Sequence, residues 1–196
     1  MLSAVVLAAG LSRRMENKNK LLLPWLGKTI VETTVGHILG AGIEEVVVVT
    51  GRDAELMTPL LESLPVRVVF NPRFAEGLTG SVQTGVQYAR GNGYMICLAD
   101  MVLVTPAEYR LLAHHFNRQQ ALDPQCICQP VYKGQKGNPI VFARWYKEAI
   151  AAHQAAEGCR DIVQSHAEHV HRVEMELDNI LQDIDNPADY ERLTGH

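Results

Sequence analysis

Residues 46–50 read Val46-Val47-Val48-Val49-Thr50, and this run decides the fold class. Consecutive β-branched residues favour a strand over a helix. A strand with one wet face alternates apolar with polar. A continuous apolar run suits a strand covered on both faces, as in a parallel sheet. A second such run, Ala4–Ala8 (AVVLA), lies upstream. Between the two, Thr29-Ile30-Val31-Glu32 has the T-x-x-E spacing of a capping box. The segment behind it places Ile30, Thr34, Ile38 and Ala41 on one helical face and ends near Gly40 or Gly42. Strand, helix and strand in this order make the unit of a parallel α/β sheet.

The alternation continues outward. Residues 53–63 read as a helix and Val66–Phe70 (VRVVF) as a third strand. Asn71–Gly80 is a loop, and residues 81–90 carry Val82, Val86 and Ala89 on one helical face. Tyr94–Ala99 (YMICLA) is a fourth strand, ending at Asp100. Thr105-Pro106-Ala107-Glu108 is a second capping box, with proline at the first helical position. After residue 123 the pattern loosens. Cys126–Val131 and Pro139–Phe142 read as strands around a KGQKG turn, with helices at 144–154 and 158–166. His169–Glu174 and Ile180–Asp183 read as short strands, and Asn186-Pro187-Ala188-Asp189 caps a last helix. The expectation is one α/β domain over residues 1–196. Its three-layer core would hold a mostly parallel sheet, and antiparallel strands in the C-terminal third would add one wall of a cleft.

Composition narrows the function. A length of 196 residues suits one domain, and 47% hydrophobic with 20% charged residues is globular. A net charge of −4 counts against a general nucleic-acid or anionic-membrane binder. No apolar run approaches the ~18–20 residues of a membrane span. The apolar start MLSAVVLAAG precedes Arg13-Arg14, the reverse of signal-peptide order. The four cysteines form no C-x-x-C pair and read as reduced thiols, so a cytoplasmic location is expected. Cys126 and Cys128 share a strand face, as do His169 and His171, and the histidine spacings match no closed zinc site. Packing is the expected role of these cysteines, of Trp25 and of Trp145.

Ligands of a parallel α/β sheet bind at the carboxyl ends of its strands. Three segments fall there. The first is LAAGLSRRMENKNK, the loop after strand one. Ala8, Ala9 and Gly10 leave backbone amides open to close approach, and Arg13, Arg14, Lys18 and Lys20 follow, with Ser12 and Asn19 among them. Small residues with converging cations make a phosphate cradle; the alternative is a solvated basic loop. No G-x-G-x-x-G follows the strand. Gly27-Lys28-Thr29 is no P-loop tail, because the required first glycine falls at Leu22. The second segment is Asp100, a strand-end carboxylate that is costly to bury without a partner such as Mg²⁺. The alternative is a capping or solvent-facing aspartate. The third is Asp183-Ile184-Asp185-Asn186, where strand alternation would place Asp183 and Asp185 on one face, ready to add carboxylates to a metal site. The loop FAEGLTGSV adds Gly77, Gly80 and Ser81 at a helix start.

LAAGLSRRM, Lys20 with LLLPW, GKTIVE, NPRFAEGLTGSVQTGV, LADM, GNPIVF and DIDNPADYERL occur in this order over nearly the whole chain. Together they resemble the nucleotidyltransferases that build the molybdenum cofactor dinucleotide, and among these the molybdenum cofactor cytidylyltransferases. The resemblance implies a Rossmann-like fold with a nucleotide-binding half at 1–122 and an acceptor-binding half at 123–196. It implies that Leu7, Ala8, Ala9 and Gly10 contact base and ribose, that Arg14 and Lys20 hold the triphosphate, and that Gly77 and Ser81 help recognise the base. Asp100 would bind Mg²⁺ with Asp183 and Asp185 beside it, and Asn138 and Arg160 would meet the acceptor. Lys20, Arg14 and Asp100 would carry catalysis. LAAG in place of LAGG points to CTP over GTP. The implied reaction moves CMP from CTP to the phosphate of molybdopterin with loss of pyrophosphate, and the product could pass to a molybdoenzyme. The chain departs from the family pattern at Glu16, Val102, Asn138 and Glu157-Gly158-Cys159-Arg160. Three alternatives therefore stay open: a guanylyltransferase, a sugar- or alditol-phosphate nucleotidyltransferase, and a protein that binds a nucleotide without transferring it.

Overall fold

In the computed structural model the Val46–Thr50 run sits inside a sheet, buried on both faces as its sequence requires. The structure describes residues 1–15, 18–156 and 158–195, so Glu16 and Glu157 lie outside the described residues. The strands are β1 (Ser3–Ala8), β2 (Pro24–Trp25), β3 (Lys28–Thr29), β4 (Glu45–Thr50), β5 (Arg67–Phe70), β6 (Gly93–Leu98), β7 (Ile127–Tyr132), β8 (Gln135–Lys136), β9 (Ile140–Ala143) and β10 (Val170–Glu174). The helices are α1 (Ile30–Gly40), α2 (Ala54–Glu62), α3 (Leu78–Tyr88), α4 (Pro106–Gln120), α5 (Lys147–Ala152), α6 (Arg160–Ser165) and α7 (Pro187–Thr194).

The main sheet has the order β10-β7-β9-β6-β1-β4-β5, with β8 paired to β7. β6, β1, β4 and β5 run parallel, as do β7 and β10. β9 lies antiparallel between β6 and β7. All six residues of the central β1 are buried. Two glycines show that helices cover both faces. A Cβ on Gly85 of α3 would strike Val5 and Val49, and one on Gly93 would strike Phe116 of α4. Ile96 pairs with Val5. Gly93 and Ile96 are an odd number of residues apart on β6, so they face opposite sides. α3 packs with α5, and α1 with α4. The domain is therefore three-layered and mostly parallel, with the antiparallel additions in its C-terminal third.

Both T-x-x-E boxes form, and Asn186 with Asp189 makes a third capping box at α7. Other elements differ from expectation. Residues Ile180–Asp183 make no strand. Asp178–Leu181 is a 3₁₀ turn whose Ile180 carbonyl accepts from Asn138 N–H, so this segment bonds to a loop and not to a ladder. α3 begins at Leu78, because Gly77 ends the 3₁₀ turn Phe74–Glu76 and Leu78 N–H donates to the Ala156 carbonyl. The 144–154 helix divides into the turn Arg144–Tyr146 and α5. The hairpin β2–β3 has no counterpart among the expected elements, because two-residue strands carry no periodicity. Trp25 is buried, but Trp145 is half exposed, edge-on to Tyr146 and His166. Among the described residues no helix is long and apolar enough to cross a membrane.

Candidate active site

A cavity of about 510 Å³ opens at the carboxyl ends of β1 and β6. Its floor follows from strand alternation. Leu7 and Ala9 point into it, Gly10 borders it, and Ala8 between them is fully buried and does not line it. Leu98, the cross-strand partner of Leu7, lies on the same face, and Asp100 follows two residues later.

The basic loop owes its shape to Asn19, which is buried. Asn19 Oδ1 accepts from the Leu21 N–H at 3.1 Å and caps the 3₁₀ turn Lys20–Leu22. Its Nδ2 donates to Asp53 Oδ2 at 3.1 Å, tying the loop to the start of α2. Lys20 is thereby aimed at the strand ends. Its Nζ lies 2.5 Å from Asp100 Oδ2 and 3.0 Å from Asp185 Oδ1. Arg14 Nη1 reaches Asp185 Oδ2 at 2.8 Å, and Arg13 also borders the cavity. Lys18 is exposed and does not line it.

Asp183 and Asp185 converge on Asp100 without the strand that sequence alternation invoked. They lie between the 178–181 turn and α7. The N-terminus of α7 sets their position: Asp189 Oδ2 accepts from the N–H groups of Asp185 and Asn186. Asp100, Asp183 and Asp185 each offer an oxygen, all within 4.8 Å of one another. This crowding governs their charge. Burial, then the Asp100 and Asp185 charges, raise Asp183 above the ordinary carboxylate range. A hydrogen bond from Lys20 lowers Asp185 against the effect of burial. Burial works to lower Lys20, but Asp100 and Asp185 outweigh it and hold the ammonium above its usual range. Among the described residues Asp100 Oδ1 is buried with no hydrogen-bond partner. A buried carboxylate oxygen in that condition is costly. Three clustered carboxylates, one with an orphan oxygen, fit a hard cation bound through oxygen.

Gly77, Leu78 and Ser81 line the opposite wall with Phe74 and Ala75. Thr79 Oγ1 donates to the Ala155 carbonyl and accepts from Gly158 N–H at 3.0 Å. Gln83 Nε2 donates to the carbonyls of Ile150, Ala151 and His153. The first two turns of α3 are thus clamped to the end of α5 and the segment that follows it. Behind this clamp lies a second cavity of about 570 Å³, bordered by Gln129, Lys136, Asn138 and Arg160. It shares Leu78 and Leu98 with the first. Asn138 and Arg160 therefore fall together, in the neighbouring cavity and not among the carboxylates. Sequence reasoning missed Lys136 and Gln129, which is buried with Oε1 unpartnered among the described residues. It also missed Asn71 beneath Ser81; the signal was its place just past the carboxyl end of β5.

Residues 4–170 match the family model described as the MobA-like NTP transferase domain. The chain belongs to this MobA-like family. The molybdenum cofactor cytidylyltransferase of Escherichia coli (strain K12) is 27% identical over 96% of this chain and 93% of its own. A protein of Paenarthrobacter nicotinovorans named nicotine blue oxidoreductase is 26% identical over 97% and 95%. Among solved structures, a nucleotidyl transferase from Methanothermobacter thermautotroptrophicus superposes with TM-score 0.87 at 28% identity, covering 100% of this chain and 97% of that one. MobA-like relatives thus carry names of unlike chemistry at nearly equal identity. The groups in the site have to choose between them.

Proposed function

We propose that this MobA-like protein is a Mg²⁺-dependent cytidylyltransferase that moves CMP from CTP to the phosphate of molybdopterin. One observation carries the reading. Lys20 and Arg14, both suited to a triphosphate, meet a carboxylate trio whose Asp100 Oδ1 lacks a partner among the described residues. Such a site suits a metal and polyphosphate. Asp100, with Asp183 and Asp185, would hold Mg²⁺, which when bound polarises phosphoryl oxygens and offsets their charge.

In the reaction an acceptor phosphate oxygen forms a bond to the α-phosphorus of CTP. The bond from that phosphorus to the bridging oxygen of the β-phosphate breaks, and pyrophosphate leaves. A phosphate monoester is ionised near neutral pH, so no strong base is required. Lys20 and Arg14 neutralise charge as it moves toward the leaving group. Leu7, Ala9 and Gly10 let the nucleoside approach the strand end, with Ser81 across the cavity. The neighbouring cavity suits the acceptor. Lys136 and Arg160 border it with positive charge, and Gln129 and Asn138 offer amides over an apolar floor of Ile96, Ile140 and Phe142. This cytidylyl reading places the protein in the cytoplasm, where its product could pass to a molybdoenzyme.

The test supplies CTP, GTP, UTP and ATP separately with Mg²⁺, with and without molybdopterin, and scores pyrophosphate and dinucleotide. Cytidine dinucleotide formed only with molybdopterin is expected. Absence of both products with every nucleotide would overturn the reading.

A further inference from the structure

We infer that Asn71, which does not line the cavity at the ends of β1 and β6, sets the hydrogen-bonding polarity of Ser81 and makes it a dedicated donor to the nucleotide. The inference rests on the nucleotide reading above and adds a residue that determines specificity within it.

Asn71 follows the last residue of β5 and is 1% exposed. Its backbone N–H donates to the Thr50 carbonyl at 2.9 Å, fixing it beside the end of β4. The side-chain amide has two unlike ends, and the local partners dictate their order. Arg73 N–H can only donate, and it lies 3.0 Å from Oδ1. The amide oxygen must therefore face Arg73, which turns Nδ2 toward Ser81 Oγ at 3.1 Å. Nδ2 can only donate, so Ser81 Oγ accepts. Its own proton points elsewhere, and among the described residues Ser81 donates to no protein group. Ser81 is 3% exposed and lines the cavity on the wall that faces β1. The free proton is thus available to an acceptor atom on the ligand, such as a pyrimidine carbonyl or ring nitrogen. A hydroxyl normally rotates to suit either a donor or an acceptor, and here one rotation is removed.

The substitution that reverses this polarity with little change of size is Asn71→Asp. Both carboxylate oxygens accept, so Arg73 N–H keeps its partner while Ser81 O–H turns to donate to residue 71. CTP binding is measured calorimetrically for the wild type, Ser81→Ala, Asn71→Asp, Asn71→Ala and the double variant Asn71→Asp/Ser81→Ala, with urea midpoints recorded for each. Ser81→Ala and Asn71→Asp should each weaken CTP by roughly 3- to 10-fold, the size of one neutral hydrogen bond. In the Ser81→Ala background Asn71→Asp should add nothing, because Asn71 acts only through that hydroxyl. Asn71→Ala should lose less affinity than Asn71→Asp, since the released hydroxyl can still donate. A merely structural role predicts the opposite ranking. CTP affinity unchanged in Asn71→Asp, or a loss that persists in the Ser81→Ala background, overturns the inference. If Asn71→Asp does not fold, Asn71→Ala decides: acting through Ser81, it cannot weaken CTP more than Ser81→Ala does, and a larger loss overturns the inference. Failure of the wild type to bind CTP, GTP, UTP or ATP overturns the nucleotide reading and this inference with it. Wild-type binding with an indifferent Asn71→Asp overturns this inference alone.

Discussion

Lys20 and Asp100 form a closed pair, Nζ to Oδ2 at 2.5 Å, at the point where the basic loop crosses the end of β6. Each group is 13% exposed, so the pair is largely withdrawn from water. Asp100 presents one oxygen to the ammonium and leaves the other without a partner among the described residues. That division of labour makes Asp100 the group on which cation and lysine meet.

Asp100→Ala should reduce turnover almost to background, because it removes both the orphan oxygen and the partner of a buried ammonium. Pyrophosphate release with CTP, molybdopterin and Mg²⁺ checks this. Activity near wild type would remove Asp100 from the metal site.

Lys20→Ala should lose about 2–4 kcal/mol of transition-state stabilisation, the size of one preorganised electrostatic donor. The quantity to measure is kcat/KM. A change confined to KM would place Lys20 in ground-state binding only.

Asp185→Asn separates the metal from the phosphates. Asp185 holds Arg14 at 2.8 Å and Lys20 at 3.0 Å. Its neutralisation should release Arg14, leave Lys20 held by Asp100 alone and tighten CTP binding measured in chelator, while slowing turnover with Mg²⁺. Weaker metal-free binding in the variant would show that the carboxylate does not compete with the triphosphate.

Gly77→Ala should damage the wall between the cavities. Gly77 has φ 123° and ψ −177°, a region essentially reserved for glycine, and an added Cβ would lie 2.8 Å from the Ala156 carbonyl oxygen. A stability loss of about 1–3 kcal/mol is expected, with CTP affinity falling alongside. Denaturant midpoints and calorimetry test both parts.

Asp123 gives a pH dependence remote from the site. Its Oδ2 lies 3.0 Å from His169 Nδ1 and 3.2 Å from His171 Nε2, joining the end of α4 to edge strand β10. Burial tends to raise this carboxyl, but the bonds from His169, Gln125 N–H and His171 outweigh it and hold it below the usual range. A carboxyl lowered in the folded state stabilises at pH above its unfolded value, and that contribution is lost as pH falls through the lowered one. Asp123→Asn should therefore be less stable than wild type at pH 6, and the gap should narrow below about pH 4. Urea midpoints across that range read the slope. A gap independent of pH would assign the loss to packing.

Much of the molecule was legible along the chain. β1, β4 and β6 announce themselves as apolar runs, and three capping boxes mark helix starts, because these signals are local and repeat at fixed spacing. Asp100 was legible for the same reason, as a charge ending a buried run. Asp183 and Asp185 meet Asp100 without the strand alternation that the sequence suggests: α7 and its Asp189 place them.

The sequence by itself determined the parallel core, the concentration of cations in residues 13–20 and the strand-end carboxylate. Each follows from period, propensity or composition within a short window. Only the tertiary structure decided that Ala8 turns away from the cavity while Leu7 and Ala9 enter it. It also decided that Asp185 closes on Arg14 and Lys20, that Asn138 and Arg160 share a neighbouring cavity, and that Asn71 stands behind Ser81. These relationships join residues from separate elements, and their geometry is set by how the sheet, the helices and the 178–186 segment pack, which no local pattern encodes.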